Sequence, residues 1–170
     1  MKLPQLTIIA TVMISLLTTE TTAQEPNQPH ANQQRKAEKL EKDGNFKEAL
    51  AIYQKLLTED DFPQLAIILD HAHNCLRRLN RNPELDALLE NAIEKHPGNA
   101  ALLDKAAQLY TSIPHYGYII AGEFKRGNHR GGGQYCDSSQ RDRIRAIQLY
   151  LQALDQWPAN RDDTEKASLY

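Results

Sequence analysis

The chain has 170 residues, 41% of them hydrophobic and 25% charged, with a formal net charge of −2. Those proportions are ordinary for a soluble globular protein of one domain. The near-neutral balance gives no reason to expect nucleic acid as the main partner, so any electrostatic binding must come from local asymmetry.

The N-terminus reads as a processing signal. Lys2 supplies a positive charge, and residues 6–17 (LTIIATVMISLL) form an apolar run too short to span a ~30 Å bilayer core. Thr21-Thr22-Ala23 then places small residues where a signal peptidase reads, although Glu20 is unusual there. The expectation is a signal peptide over 1–23 cleaved after Ala23, export to the periplasm or the extracellular space, and no stable membrane insertion after cleavage. No cysteine follows the apolar run, so a lipid anchor on a new N-terminal cysteine is not available. Residues 24–34 (QEPNQPHANQQ) are polar with two prolines and read as a flexible spacer.

From residue 35 the chain reads as amphipathic helices. Residues 35–43 place Ala37 and Leu40 on one face, and Gly44 ends that helix. Asn45 can cap the next, residues 46–59, whose stripe is Phe46, Ala49, Leu50, Tyr53, Leu56 and Leu57. A helix over 64–79 turns Leu65, Ile68, Leu69, Ala72, Leu76 and Leu79 inward. After a turn at Asn80–Pro83 a helix over 84–96 carries Leu85, Leu88, Leu89, Ala92 and Ile93, stopped by Pro97-Gly98-Asn99. Residues 100–113 carry Leu102, Leu103, Ala106, Ala107, Leu109 and Tyr110, and Pro114 ends them. Residues 141–157 are helical again, with Ile144, Ala146, Ile147, Tyr150, Leu151, Ala153 and Leu154 as the inward set, and Ser138 or Ser139 as cap. Residues 160–170 (NRDDTEKASLY) look like the start of a further helix.

These helices repeat in register. Ala49, Tyr53 and Leu56 match Leu85, Leu89 and Ala92, and both match Ala146, Tyr150 and Ala153, with steps of four and then three. From Leu40 to Ala49 is 9 residues, from Leu76 to Leu85 is 9, and from Tyr110 to Ala146 is 36. The third unit therefore holds about 27 extra residues between its two helices. They fall within 115–140, which has three adjacent glycines and the strand-like run Tyr118-Ile119-Ile120, suggesting a small β-hairpin. Because the flanking helices keep their phase, the segment reads as an insertion that the fold tolerates without depending on it, except through Cys136. A unit of two short helices cannot bury its own face, so the units must stack.

Gly44-x4-Ala49-x3-Tyr53 and Ala146-x3-Tyr150-x2-Ala153-x4-Pro158 resemble tetratricopeptide repeats, over roughly residues 32–170. The second unit departs, with His73 at a small-residue site and Asn80 in place of the turn glycine. The resemblance implies an all-α protein, a short α-solenoid of about three antiparallel hairpins, that holds a protein or peptide partner. It implies no enzyme activity and no cofactor. A second resemblance concerns residues 116–154, YGYIIAGEFKRGNHRGGG followed by RDRIRAIQLYLQAL. They are similar to the N-terminal part of large exported bacterial alpha-2-macroglobulin-like proteins, which trap proteases through tandem β-sandwich domains and often a reactive thioester. That would imply the helical front end of an endopeptidase inhibitor. The chain has no room for those domains, and Cys136 and Gln140 lack the Cys-x-x-Gln spacing.

Candidate sites are few. The run GNHRGGG over 127–133 lacks the Gly-Lys-Ser/Thr of a phosphate loop and reads as a turn needing positive φ. Ser138 or Ser139 with His129 and Asp137 name the residue types of a triad, but all lie on one loop with nothing rigid behind them. His71 and Cys75 share a helix face while His73 points away, so a metal site would need Cys136 and His129 folded back. Cys75 and Cys136 are the candidate disulfide, since exported thiols in one small domain often pair. It would close a loop of about 60 residues, worth a few kcal/mol in the chain-entropy model; two unpaired thiols are the other reading. Lys125, Arg126, His129, Arg130, Arg141, Arg143 and Arg145 gather in and after the insertion, offset by Glu123, Asp137 and Asp142. Intramolecular pairs on a solvated surface explain such a cluster. The functional reading makes Lys125, Arg126, His129, Arg130, Arg141 and Arg145 a surface for an anionic partner.

Overall fold

The structure is a computed structural model and describes residues 29–60 and 62–157. The expected signal peptide, the first part of the expected spacer and the helix expected from residue 160 lie outside the described residues. Six α-helices are described: α1 (Pro29–Lys42), α2 (Phe46–Leu56), α3 (Leu65–Arg78), α4 (Leu85–Lys95), α5 (Ala100–Ser112) and α6 (Ser139–Gln156). A single 3₁₀ turn, Asn82–Glu84, leads into α4 and carries Pro83 in its first turn. Helix α1 packs on α2, α2 on α3, α3 on α5 and α5 on α6, so the core runs along the stack. Residues 29–34 of the expected spacer are helical and extend α1 backwards.

The apolar stripes of α2, α3, α4 and α5 fall where their periodicity places them. Ala49, Leu50, Tyr53 and Leu56 are buried on α2, and Leu102, Leu103, Ala106, Ala107, Leu109 and Tyr110 on α5. Fully burying each large apolar side chain contributes about 1.5–3 kcal/mol. Helices α1 and α3 end in the same device. Gly44, at φ +83°, lets Asn45 N–H reach Leu40 O at 2.8 Å. Asn80, at φ +55°, does the same for Arg81 N–H and Leu76 O at 2.9 Å. Asparagine tolerates that left-handed conformation better than most residues, so it substitutes for the expected turn glycine.

Helix α6 departs from expectation in part, with Ala146 and Ala153 of the expected inward set buried. Asp142, Ala146, Leu149 and Ala153 are its buried residues, whereas Ile144, Ile147 and Leu151 are 49%, 52% and 59% exposed. The four buried positions follow one another by four, three and four, a single stripe of the helix. A charged residue opens that stripe, and the partners of Asp142 set the rotation of the whole helix.

The fold is mostly helical, as expected, and the small β-hairpin suggested within 115–140 is a three-stranded antiparallel sheet between α5 and α6. Strands β1 (Tyr116–Ile120), β2 (Glu123–Arg126) and β3 (Gln134–Asp137) lie in the order β2-β1-β3. Gly117 stands opposite Arg126 on one side and Cys136 on the other. Opposed residues share a face, so Gly117, Arg126 and Cys136 occupy one face, and Tyr118, Lys125 and Tyr135 the other.

Candidate functional site

The insertion is anchored by a buried arginine. Arg126, the last residue of β2, is 0% exposed. Its Nε and Nη2 donate to Asp86 of α4 at 2.8 and 2.7 Å. Its Nη2 and Nη1 donate to Asp142 of α6 at 2.9 and 2.8 Å. Nη1 also donates to the Pro114 carbonyl and, at 3.4 Å, to Ser138 Oγ. All donor atoms of the guanidinium are thereby engaged, which is the condition for burying its charge without a large penalty. Phe124, on the same face, lies under Arg126 and Arg141, 5.4 and 4.3 Å from its ring centre, a favourable cation–π arrangement.

Asp142 is the counter-charge. Burial alone would raise its pKa, but hydrogen bonds from Arg126, His115, Arg141 and Ser138 hold its carboxyl well below the ordinary carboxylate range. His115 Nδ1 is 3.0 Å from Asp142 Oδ2, and the Ser138 hydroxyl donates to the same oxygen at 2.8 Å. The expected cap of α6 therefore works differently. Ser138 spends its hydroxyl on Asp142, and Asp137 instead accepts from Ser139 N–H at 2.8 Å.

A second ion pair runs alongside. Arg145 donates to Glu90 of α4, which also accepts from Tyr110 OH at 2.6 Å. Burial opposes ionisation of Glu90, yet bonds from Arg145 and Tyr110 lower its pKa. Asp86 and Glu90 on α4, and Arg141 and Arg145 on α6, are each four residues apart and so each on one helix face. That matched spacing was the sequence signal for the pairing, and Asp86 and Glu90 were the residues missed.

The charges of the expected partner surface are thus largely engaged in pairs within the chain, although only Arg126 is buried. Arg141 pairs with Asp86 and Asp142, each at 2.9 Å. Arg145 pairs with Glu90, and Lys125 with Glu123 at 2.6 Å. His129, its ring centre 6.3 Å from that of Tyr118, and Arg130 are exposed. The reading of the insertion as dispensable is also corrected, because its arginine completes a buried network between α4 and α6.

The candidate disulfide is not formed, and both thiols are free. Cys75 is fully buried on α3 in the helical core, while Cys136 lies in β3 against β1, on the inserted sheet. Burial pushes the Cys75 thiol up to about 12, which suppresses the reactive thiolate. Alkylating the folded protein is expected to modify Cys136 alone, with Cys75 reacting only after unfolding, as mass spectrometry would read directly.

The triad residue types are not assembled for nucleophilic chemistry. Ser138 donates to Asp142, Asp137 caps α6, and His129 sits by Tyr118. The other nitrogen of His115 lies 3.3 Å from Thr111 O, so neither ring nitrogen is placed to take the Ser138 proton. Of the metal candidates, His71 bonds Glu41 at 2.7 Å, and Glu41 also holds Tyr53 and Asn74. Among the described residues no group of three or more His, Cys, Asp or Glu is placed to hold a metal ion.

Two glycines set how closely the insertion packs. A Cβ on Gly117 would stand 2.3 Å from the Lys125 carbonyl oxygen and 2.7 Å from the Phe124 ring. Gly117→Ala is therefore expected to cost about 1–3 kcal/mol through overpacking, measurable by urea unfolding. Gly127, at φ +82°, brings the chain against Asn82, whose Cβ would be 3.0 Å from an added methyl.

The outer edge of β3 is open. Ser138 N–H donates to His115 O; in the antiparallel alternation Cys136 and Gln134 then face β1, while Tyr135 and Asp137 direct backbone groups outward. Tyr135 is 61% exposed, and its ring meets that of Tyr118 edge-on at 6.0 Å. Comparison with known proteins gives no match: no family model, no curated protein and no solved structure is similar to this chain.

Proposed function

We propose that the protein is an exported, tetratricopeptide-like α-solenoid scaffold that holds another protein, and that the partner adds an extended segment to the open edge of β3. The observation that carries this reading is Tyr135, 61% exposed on an edge strand whose backbone groups point outward. Natural sheet edges are usually blunted by lysine, proline, a bulge or a covering element. Gln-Tyr-Cys-Asp has neither lysine nor proline. An added strand would gain main-chain hydrogen bonds at Tyr135 and Asp137, and its alternate side chains would meet Tyr135 and Tyr118. Exposed Arg130 and His129 nearby favour acidic residues in that segment.

The test uses pull-downs from cell-envelope extract. Tyr135→Pro removes an outward N–H but none of the bonds to β1. A partner captured by the native protein is expected to be lost with Tyr135→Pro and weakened with Tyr135→Ala. Undiminished capture by both variants would overturn the assignment.

A further inference from the structure

Helix α6 leaves an apolar seam uncovered. Of the five large apolar residues exposed among the described residues, three are Ile144, Ile147 and Leu151 of this helix. With half-buried Leu154 they step by three, four and three. That is the spacing of a helix that packs along another helix, and a contiguous apolar face of this kind marks an interaction site. The seam borders the groove between α5 and α6. At one end the groove is a cavity of about 350 Å³, lined by Asp104, Ile147, Tyr150, Leu151, Leu154 and Trp157. At the other end it is lined by Arg143 with Tyr110, Thr111 and His115.

Each end holds a polar group left unmatched among the described residues. Asp104 Oδ2 accepts from Gln108 at 2.8 Å, while its Oδ1 is buried with no hydrogen-bond partner, a costly state for a carboxylate oxygen. Arg143 is exposed and makes no ion pair or hydrogen bond among the described residues.

We propose that the seam is the interface of a homodimer, in which two copies of α6 pack antiparallel about a two-fold axis and Arg143 of each copy donates to Asp104 of the other. An axis passing between Ile147 and Leu151 sets Ile147 against the partner's Leu151 and Ile144 against the partner's Leu154, so the seam is complementary to itself. Arg143, Tyr150 and Trp157 are seven apart and so lie on one side of the seam, the side of the groove that holds Asp104. A two-fold axis keeps the two copies of that side together. It carries Arg143, near the start of α6, to the level of the partner's Asp155, near its end, where Asp104 and Trp157 lie. The guanidinium then enters between aromatic rings, a setting that suits arginine. The last torsion of an aspartate is broad, so Oδ1 can turn to meet the donor. Charge opposes the parallel alternative, which would set Arg141, Arg143 and Arg145 of both copies side by side. The proposal does not depend on the β3 edge. A seam of two heptads is short, so the dimer is a weak one that dilution dissociates, and unfolding measured on dilute protein reads the monomer.

Sedimentation equilibrium of the purified protein over a dilution series tests this. A monomer–dimer equilibrium is expected, with the emission of Trp157, the only tryptophan of the chain, shifting to the blue as the dimer forms. Ile147→Asp, at a position 52% exposed, is expected to leave a monomer of native helix content. Arg143→Asp is expected to weaken association about tenfold or more, and Arg143→Asp with Asp104→Arg to restore it. The mass of a single chain at every concentration overturns the proposal and leaves the groove to another occupant. So does a dimer that Ile147→Asp and Arg143→Asp leave intact, or one whose formation leaves the Trp157 emission unchanged. Loss of the dimer with Tyr135→Pro alone would place the interface at β3 and overturn it equally.

Discussion

Arg126→Ala is expected to destabilise the protein by about 3–5 kcal/mol, because removing one partner of a buried ion pair leaves the other charge uncompensated. Asp142 is 0% exposed and loses two of its bonds, while Ser138 and Pro114 each lose a donor. Asp86 is partly exposed and keeps Arg141, so most of the penalty falls on Asp142. Arg126→Lys is expected to recover only part of the loss, since an ammonium cannot span two carboxylates with a planar fork. Urea unfolding at neutral pH reads both.

The same network gives acid sensitivity with a defined sign. Burial works against the Asp142 charge, but bonds from Arg126, His115, Arg141 and Ser138 win, and its folded pKa is depressed. Its contribution is therefore present in full above the unfolded carboxylate value of about 4 and is lost as pH falls from there through the lower folded value. Asp142→Asn is expected to lower stability at pH 7 and to flatten the decline below about pH 4. An equal decline in both proteins would place the acid-sensitive group elsewhere.

Leu149→Ala is expected to cost about 2–5 kcal/mol, the range for emptying a buried leucine site. Leu149 is 0% exposed and is the one large apolar side chain that α6 fully buries. Ile144→Ala, on the same helix but 49% exposed, is expected to stay within about 0.5 kcal/mol. The contrast tests the rotation of α6 directly. Comparable losses at both positions would restore the face that periodicity alone predicts.

That helix also shows how far the sequence can be read. For α2, α3, α4 and α5 one apolar stripe dominates, and periodicity finds it. On α6 two stripes compete, Ile144, Ile147 and Leu151 against Ala146, Leu149 and Ala153. Their hydrophobicity favours the first. What decides is Asp142, whose burial depends on Arg126, 16 residues away, and that pairing arises only when β2 folds back on the helices. The sheet was half legible: Tyr118-Ile119-Ile120 marks β1, but Gln134-Tyr135-Cys136-Asp137 has no strand-like alternation and is a strand only because β1 offers it an edge. Arg126 escapes a reading of the sequence because arginines are rarely buried unless paired. The acids that bury it are Asp86 on α4, 40 residues away, and Asp142 on α6, 16 residues away, and only the matched four-residue spacing of Asp86 and Glu90 against Arg141 and Arg145 hinted at the pairing of α4 with α6. The free cysteines follow from the same cause, since docking the sheet by Arg126 fixes Cys136 against β1 while Cys75 stays inside α3.

The central claim is that residues 116–137 form a sheet held on α4 and α6 by Arg126, with β3 as its free edge. Native-state hydrogen exchange tests it most directly. The predicted result is protection of the Tyr118 and Ile119 amides, rapid exchange at Tyr135, and loss of protection across the whole sheet and the first turn of α6 in Arg126→Ala, with α2 and α3 unaffected. Rapid exchange throughout 116–137 in the native protein, or a sheet equally protected without Arg126, would contradict it.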